Sequence, residues 1–518
     1  MSIVTIVQAR AESTRLPGKI FKSILGKPML AHMLERVKRA QKINSVVLAT
    51  TDKSEDDATA AIGERSGVTV FRGSESNVLD RFYRAASAAR AETVVRLTGD
   101  CPLVDPAVLD EVVERYLAQN VDYTHTPVNY PEGLDTEVFS FSALERAHKE
   151  ARLPSEREHV TPYIRNHPEL FRLDEKWRNG KGNHSAMHWS VDTKQNFEFI
   201  SRIFEKLFPR NEKFNKDDVL ALLEREPELL AINKDGTGYE GYEKSKREDA
   251  IVGKLVLGTV ELGMPYGLDK DIPQPSEDKS FEILDTAYKA GIETFDTASG
   301  YGSAEEVLGR WIKTRGLKGK VRVISKGAGR GDVEMSLKHL GLEVLDGYLL
   351  HNAKGSFEEL QEARRAGLVE HIGASVYEPE EVQPEYEYVQ APLNALDRRF
   401  ENLAGCTFFA RSPFLQGLLL QDTAEVPPHL ADARPYIEKF SDIARRFNLS
   451  RLQAALLFTL HAHPNARVVF GVKTMSQLKE ILSAARVELP SSFIEAVRAL
   501  SLAPKAIINP SVWNTRMQ

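Results

Sequence analysis

The sequence has little of what marks secreted, membrane-spanning or nucleic-acid-binding proteins. Only two cysteines, Cys101 and Cys406, occur in 518 residues, which argues against a disulfide framework and is typical of a reducing compartment. No apolar run reaches the length of a membrane span, and no apolar signal core follows a basic N-terminal segment. A formal net charge of -6 argues against nucleic-acid binding. We therefore expect a cytoplasmic protein without membrane or nucleic-acid partners.

The length indicates two domains. A chain of 518 residues is too long for one ordinary core, and two domains of about 250 residues are the natural expectation. A glycine-rich, charged segment without a periodic apolar face, residues 233–249, separates the halves and is typical of an exposed connection. We predict domains at residues 1–240 and 250–518, joined by a linker at 241–249.

The first half begins with a short apolar run, Ile3–Gln8, followed by a polar loop that carries Arg10, Ser13, Arg15 and Lys19. Such a run predicts a buried parallel strand. A solvated basic loop is the ordinary alternative for these cations. Ligands of open α/β sheets bind where strands end, and cations on such a loop can neutralise a polyphosphate. The stretch therefore predicts an anion site.

Further along, strand-like runs at residues 45–51, 68–71 and 93–97 alternate with helical segments at 29–40, 56–66 and 77–90. This order predicts an α/β domain with a mostly parallel sheet and helices on both faces. Asp100 follows the run at 93–97, where it is placed either to hold Mg²⁺ near a triphosphate or to cap its own turn. Asp192 follows another short apolar run and is a candidate second ligand.

The motif Gln-Ala-Arg-x-x-Ser-x-Arg-Leu-Pro-Gly-Lys at residues 8–19 resembles the nucleotide-binding loop of cytidylyltransferases that make CMP-activated acidic sugars, most closely their spore-coat-polysaccharide branch. The resemblance implies a Rossmann-like nucleotidyltransferase that uses CTP and a sugar acid or sugar phosphate. It implies catalytic roles for Arg15 and Lys19 and Mg²⁺ ligation by Asp100 and Asp192. Nucleotide contacts are expected at Gln8, Ala9, Arg10, Ser13, Thr51, Asp52 and Arg81, and acceptor contacts at Glu132, Asp135, Glu137, Arg157 and His159.

Two residues depart from this family pattern. Asn196 stands where the family usually has an acidic residue, and we assign it no metal role because an amide binds Mg²⁺ more weakly than a carboxylate does. His188 stands where the family often has an Arg.

The expected reaction needs no protein nucleophile: an acceptor oxygen attacks the α-phosphorus, pyrophosphate leaves, and the enzyme positions the groups and neutralises charge.

The second half shows eight apolar strand runs separated by helical segments, at residues 254–259, 291–298, 321–326, 344–351, 369–376, 386–394, 407–413 and 466–472. This count and alternation predict a TIM barrel, whose active site forms at the carboxyl ends of the strands. Asp296 lies at the end of the second run, and Tyr301 lies in the loop just after it. Lys326 ends the third run and His351 ends the fourth. Each alone is an ordinary core or rim residue, but together they indicate one site.

These four residues have a joint chemistry. An ammonium beside a phenol lowers the pKa of the phenol and makes it a proton donor, and a carboxylate holds the ammonium. The set matches in order the tetrad of the aldo-keto reductase family, which the whole domain resembles. The resemblance implies NADPH, with Tyr301 as proton donor to a carbonyl. Cofactor contacts are then expected at Ser375, Gln390, Arg411, Ser412, Leu415, Lys473, Thr474 and Gln477.

Val376 and Ile481 stand where many aldo-keto reductases have Asn.

The leading hypothesis for the whole chain is a bifunctional enzyme that makes a cytidine-activated sugar, acidic sugar or alditol for a surface glycan. One alternative is a transferase whose barrel serves only binding or assembly, and another is a reductase whose first domain only recruits nucleotide-sugars. A homodimer is left open.

Overall fold

The computed structural model describes residues 2–13, 15–180, 182–233, 240–268 and 272–513. The chain divides into two compact units, the first ending at Ser245 and the second beginning at Lys246. In the described residues no helix is long and apolar enough to cross a membrane.

The first unit is an α/β domain. Its strands are β1 (Ile3–Gln8), β2 (Ser23–Ile24), β3 (Lys27–Pro28), β4 (Ser45–Thr51), β5 (Thr69–Gly73), β6 (Thr93–Thr98), β7 (Tyr123–His125), β8 (Glu137–Ser140) and β9 (Leu173–Asp174). Its helices are α1 (Met29–Val37), α2 (Asp57–Arg65), α3 (Val78–Ala88), α4 (Pro106–Gln119), α5 (Phe141–Glu150), α6 (Pro154–His159), α7 (Pro162–Asn166), α8 (Lys194–Leu207), α9 (Lys216–Arg225) and α10 (Glu228–Ile232).

Seven of these strands form one sheet in the order β5-β4-β1-β6-β8-β7-β9. β1 lies at its centre, parallel to β4 and β6, while β8 runs antiparallel to β6. Along β1, Ile3 and Val7 join one hydrophobic cluster, and Val4 and Ile6 join another. Both faces of the sheet are therefore covered, as its continuous apolar runs require. This confirms the predicted fold class.

Part of the segment predicted as an exposed connection is helical. Residues 240–252 form α11 (Glu240–Val252), which includes the predicted linker at 241–249. Residues 234–239 of the predicted connection lie outside the described residues. The run of Glu, Lys and Arg has good helix propensity despite its weak apolar periodicity, which explains why pattern alone did not predict the helix.

The second unit is a closed barrel of eight parallel strands. The strands are β10 (Leu255–Gly258), β11 (Thr294–Asp296), β12 (Arg322–Gly327), β13 (Leu345–Leu350), β14 (Val369–Ser375), β15 (Tyr388–Pro392), β16 (Thr407–Arg411) and β17 (Arg467–Gly471). The helices are α12 (Val260–Gly263), α13 (Glu277–Lys289), α14 (Ala304–Arg315), α15 (Arg330–Leu340), α16 (Phe357–Arg365), α17 (Arg434–Arg446), α18 (Arg451–Ala462), α19 (Met475–Ala485), α20 (Phe493–Arg498) and α21 (Lys505–Ile508).

Each predicted strand run of the second half corresponds to one barrel strand, although β12 extends one residue beyond its run, to Gly327. Val256, Ile324, Leu349, Phe409 and Val469 form a small apolar cluster of their own, and the larger cluster joins the strands to the helices. The barrel is therefore filled by side chains, as small barrels are. Short 3-10 helices lie in both units, at Lys19–Phe21, Ser54–Asp56, Pro379–Glu381, Leu415–Leu420, Pro428–Ala433 and Pro510–Val512.

Candidate active sites

In the first unit, the ends of β1 and β6 approach each other closely. The Gly99 amide donates a 2.7 Å hydrogen bond to the Gln8 carbonyl. A Cβ at Gly99 would lie 2.7 Å from the Cβ of Ala9, so only glycine fits without rearrangement. This contact brings the cationic loop after β1 next to Asp100 after β6, at the carboxyl edge where open α/β sheets bind ligands.

Lys19 lies between the two carboxylates predicted to hold Mg²⁺. Its ammonium donates hydrogen bonds to Asp100 Oδ2 at 2.8 Å, to Asp192 Oδ1 at 3.0 Å and to the Val191 carbonyl at 2.7 Å. Arg15 Nη2 also lies 3.0 Å from Asp192 Oδ1. Four residues predicted from separate parts of the chain thus meet in one cluster.

The charges of this cluster reinforce one another. Burial alone would raise the pKa of Asp100, but the Lys19 ammonium and hydrogen bonding outweigh it and lower the pKa to about 2. Burial alone would lower the pKa of Lys19, and Asp100 with Asp192 raises it instead. At neutral pH Lys19 therefore carries a fixed positive charge beside the ionised Asp100 carboxylate.

Asp100 and Asp192 fit a magnesium site that substrate completes. Among the described residues no group of three or more His, Cys, Asp and Glu side chains is arranged to hold a metal. Mg²⁺ is commonly held by one or two carboxylates with substrate phosphates and water. Asn196 lies outside this ligand set: its Oδ1 accepts hydrogen bonds from the backbone amides of Asp192 and Thr193 and so positions Asp192.

The predicted nucleotide contacts lie in two environments. Arg10 and Asp52 are exposed, whereas Arg81 is buried and donates from Nη1 to the Ser74 carbonyl at 2.6 Å. Arg81 Nε and Gln8 Oε1 are buried without a hydrogen-bond partner in the described part of the chain. Such atoms are costly unless a ligand pairs with them.

The remaining nucleotide candidates have structural contacts. Thr51 donates its hydroxyl to Asp56, which also accepts from the Ala11 amide at 2.7 Å. Ala9 is buried, and Ser13 Oγ accepts from the Leu16 amide at 3.4 Å. Thr51 therefore helps to anchor the loop after β1.

The predicted acceptor contacts do not form a single cluster of side-chain contacts. Glu132 Oε2 lies 2.9 Å from His188 Nδ1, and Asp135 accepts from the Gly133 amide at 2.8 Å. Arg157 donates to the Ala151 carbonyl at 2.6 Å, and His159 Nε2 lies 3.3 Å from Ser245 Oγ. Burial lowers the pKa of His159.

Glu137 forms a cross-strand ion pair with Arg96 of β6, and the Tyr123 and Thr161 hydroxyls donate to it at 2.6 and 2.7 Å. Burial alone would raise the pKa of Glu137, but Arg96 and these hydrogen bonds lower it to about 2. Sequence reasoning did not find Arg96, because its partner is fixed only by the antiparallel register of β6 and β8.

His188 gains significance from the structure. Besides contacting Glu132, its Nε2 lies 3.1 Å from Ser190 Oγ, and the imidazole is buried. Burial would lower the pKa of His188, but Glu132 outweighs it and raises the pKa. The departure from the family pattern marked this position, and the structure shows that it links the Glu132 loop to the segment carrying Asp192.

In the second unit, Asp296 at the end of β11 and Lys326 on β12 form a buried ion pair. Lys326 Nζ lies 2.8 Å from both carboxylate oxygens and 2.7 Å from the Thr297 carbonyl, which it contacts as a hydrogen-bond donor. Gln390 Nε2 donates to Asp296 at 2.7 Å. Lys326 Nζ also lies 5.0 Å from the ring centroid of Tyr301.

Tyr301 and His351 meet edge to face, with ring centroids 5.7 Å apart. Burial and the Asp296 carboxylate raise the pKa of Tyr301. This differs from the expectation that Lys326 would lower it, because the ammonium is paired with Asp296. Burial and the Lys326 charge lower the pKa of His351 to about 4. At neutral pH both side chains are uncharged and can donate hydrogen bonds to a carbonyl oxygen.

These residues open into a cavity of about 610 Å³. Six predicted cofactor residues line it: Ser375, Gln390, Arg411, Ser412, Lys473 and Gln477. Leu415 is instead fully buried in the hydrophobic core, and the Thr474 side chain accepts from the Gln477 amide as a helix cap. Ile481 lines the cavity, and Val376 is buried with its carbonyl accepting from Arg411 Nη2 at 3.1 Å. The donors and cations present fit an anionic dinucleotide.

Glu261 also lines this cavity. It lies on α12, directly after the first barrel strand, and sequence reasoning did not identify it. The position of Glu261 just after a strand end could have indicated it from the sequence, since catalytic groups of TIM barrels lie at those ends.

The two sites define the class of each unit. Cations and paired carboxylates at a sheet edge are suited to nucleotide chemistry, and the buried Asp, Lys, Tyr and His of the barrel are suited to carbonyl chemistry. Sequence profiles agree: residues 4–244 match the model of the cytidylyltransferase family, and residues 254–502 match the model of the aldo/keto reductase family. It therefore combines two enzyme domains.

Relatives of the first unit include the uncharacterized protein MJ1063 of Methanocaldococcus jannaschii, 37% identical over 235 residues, which are 45% of this chain and 95% of that protein. The spore coat polysaccharide biosynthesis protein SpsF of Bacillus subtilis is 35% identical over 231 residues, 44% of this chain and 95% of that protein. A 3-deoxy-manno-octulosonate cytidylyltransferase of Geobacter sulfurreducens is 42% identical over 120 residues, 23% of this chain and 47% of that protein.

Proposed function

We propose that the protein transfers CMP from CTP to a sugar acid or sugar phosphate and reduces a carbonyl of the same pathway's sugar with NADPH. The observation that carries the proposal is the presence of two assembled sites in one chain. Lys19, Arg15, Asp100 and Asp192 form the first, and the Asp296–Lys326 pair with Tyr301 and His351 forms the second. The names of two relatives, the spore coat polysaccharide biosynthesis protein SpsF and the 3-deoxy-manno-octulosonate cytidylyltransferase, support an acidic-sugar or polysaccharide substrate.

In the transferase, the acceptor oxygen forms a bond to the α-phosphorus while the bond to pyrophosphate breaks. Asp100 and Asp192 would hold Mg²⁺, which when bound neutralises phosphate charge. Arg15 and Lys19 supply further positive charge at the same place. Arg81 Nε and Gln8 Oε1, which have no hydrogen-bond partner among the residues that the structure describes, would pair with the nucleotide. Positioning and charge neutralisation account for the whole reaction.

In the reductase, Ser375, Gln390, Arg411, Ser412, Lys473 and Gln477 would hold the dinucleotide, which supplies hydride when bound. His351, neutral at pH 7, orients the carbonyl oxygen, and Tyr301 donates the proton to it. The Asp296–Lys326 pair keeps a positive charge beside the phenol ring. The cation Lys473 favours a cofactor with an additional phosphate, hence NADPH over NADH.

The need for a free carbonyl group limits where on the sugar the nucleotide can be attached before reduction. A nucleotide attached at an anomeric oxygen locks the reducing-end carbonyl, so reduction would precede activation or act on another ketone. A nucleotide attached through a non-anomeric phosphate leaves the open-chain aldehyde free, and reduction would then yield a CDP-alditol.

In the first assay, the protein is incubated with CTP, MgCl₂ and a panel of sugar acids and sugar phosphates, and the released pyrophosphate is measured. In the second assay, NADPH oxidation is followed with the free sugars and with the activated sugars. We expect both activities, with Arg15→Ala abolishing pyrophosphate release and leaving NADPH-dependent reduction unchanged. Absence of pyrophosphate release with every acceptor contradicts the first half. Absence of saturable NADPH binding contradicts the second and favours a non-catalytic barrel.

A further inference from the structure

Glu261 is a half-buried residue in the reductase cavity whose carboxylate has no assigned role. It lies between β10 and β11, and its Oε2 is buried without a hydrogen-bond partner among the described residues. Its carboxylate packs directly on Gly471 at the end of β17, where a Cβ would lie 2.2 Å from Oε2 and 2.3 Å from Oε1. A buried oxygen of this kind requires either a proton or a ligand donor.

The charged surroundings of Glu261 come from three strands. Lys473 follows β17, Asp296 ends β11, and Arg411 ends β16; Tyr266 and Tyr301 contribute phenols from the intervening loops. Burial raises the pKa of Glu261, Lys473 counteracts this, Asp296 adds to it, and the resulting pKa is about 7. The pKa of His351 is about 4, and burial raises the pKa of both phenols above their usual value. With a pKa of about 7, Glu261 can gain or lose a proton near neutral pH.

An ionised Glu261 opposes an anionic ligand in this cavity, because the desolvated carboxylate and a pyrophosphate repel each other. A protonated Glu261 removes the repulsion, and its O–H can donate to a phosphate or hydroxyl oxygen. We propose that Glu261 contacts the dinucleotide in its protonated form, so that cofactor binding takes up one proton and weakens as pH rises. The inference rests on the proposed use of NADPH by the barrel.

The expected effect follows from proton linkage. If only the protonated form binds, the dissociation constant of NADPH rises about 30-fold between pH 6 and pH 8.5. Titrations of tryptophan fluorescence with NADPH on the full chain measure this constant. In Glu261→Gln the amide keeps a donor and cannot ionise, so we expect tight binding at pH 8.5 and loss of the weakening. The 2′-phosphate of NADPH still titrates when it binds to this variant. Any pH dependence that the variant retains is therefore assigned to that phosphate and not to Glu261.

Glu425→Gln is the matched control, because Glu425 is an exposed carboxylate at the same cavity; its pH dependence should equal that of the unmodified protein. Calorimetry of the unmodified protein in buffers of different ionisation enthalpy should show uptake of about one proton at pH 8, which tests the proposal even if Glu261→Gln does not fold. An unchanged pH dependence in a folded Glu261→Gln, or no proton uptake, overturns it. Binding that strengthens with pH also overturns it, since an ionised carboxylate would then be the ligand form. No NADPH binding at any pH overturns the proposed cofactor itself.

Discussion

The Lys19 ammonium donates a 2.8 Å hydrogen bond to Asp100, a residue 81 positions further along the chain. The contact joins the loop after β1 to the loop after β6, which are adjacent because their strands pair in parallel. It places a fixed positive charge beside a predicted metal ligand.

Lys19→Met should reduce pyrophosphate release by about 10²–10³-fold, because removal of one preorganised donor from a charge-stabilising site has an effect of this size. NADPH-dependent reduction by the same chain should be unchanged. Lys27→Met, which removes an exposed cation paired with Glu35, is the control and should retain full transfer. Equal rates in Lys19→Met and Lys27→Met would show that Lys19 only neutralises its neighbours.

Glu137→Gln should lower the free energy of unfolding of the first unit by about 3 kcal/mol at pH 7, since it leaves the Arg96 guanidinium without its partner. The native pKa of Glu137 is depressed from 4.5 to about 2. Its contribution is therefore present above pH 4.5 and is lost as pH falls towards 2. Urea unfolding at several pH values measures both effects.

The control for Glu137 is Glu205→Gln, which alters an exposed i,i+3 pair on α8 and should change stability by less than about 0.5 kcal/mol. The comparison also tests the acceptor role expected from the sequence. A raised KM for the acceptor with unchanged stability would assign Glu137 to substrate binding instead of to the fold.

Asp296→Asn and Lys326→Met should each destabilise the barrel by about 3–5 kcal/mol, because each leaves a buried group of the pair uncompensated. The side chains are 5% and 1% exposed, so water cannot replace the missing partner. The double variant should be more stable than the sum of the single effects predicts, by about 1–3 kcal/mol. Chemical denaturation of the four proteins measures this coupling, and strict additivity would contradict it.

Tyr301→Phe should lower the rate of carbonyl reduction by about 10²–10⁴-fold while NADPH still binds, since only the proton donor is removed. Tyr266→Phe removes another phenol from the same cavity and should keep most of the rate. Comparable losses in both variants would show that the cavity tolerates neither change and that Tyr301 has no special role.

The rate at saturating NADPH should show no ionisation of His351 between about pH 5.5 and 8, because its pKa is lowered to about 4 and the imidazole is already neutral there. Steady-state rates across this range check the prediction. A break near pH 6.5 that disappears in His351→Gln would contradict the neutral assignment.

The strands of both units follow from the sequence, because their apolar runs are local. Ile3–Gln8 and Ser45–Thr51 were predicted to the residue, and the barrel strands lie within their predicted runs, except that β12 extends one residue further, to Gly327. The tetrad could also be identified from the sequence. Asp296, Lys326 and His351 lie at or beside strand ends, and a closed parallel barrel brings those ends together. Sequence therefore determined the two folds and the elements that carry each site.

The tertiary structure decided which charges are paired. No local pattern shows that Lys19 lies between Asp100 and Asp192, or that Arg96 neutralises Glu137. Nor does one show that Glu261 Oε2 has no hydrogen-bond partner in the described part of the chain. These facts depend on strand register and on burial. Burial and the Asp296 carboxylate raise the pKa of Tyr301, whereas the sequence predicted that Lys326 would lower it; the Lys326 ammonium is paired with Asp296. Pairing and desolvation are properties of the packed chain, and they set the protonation state of each site.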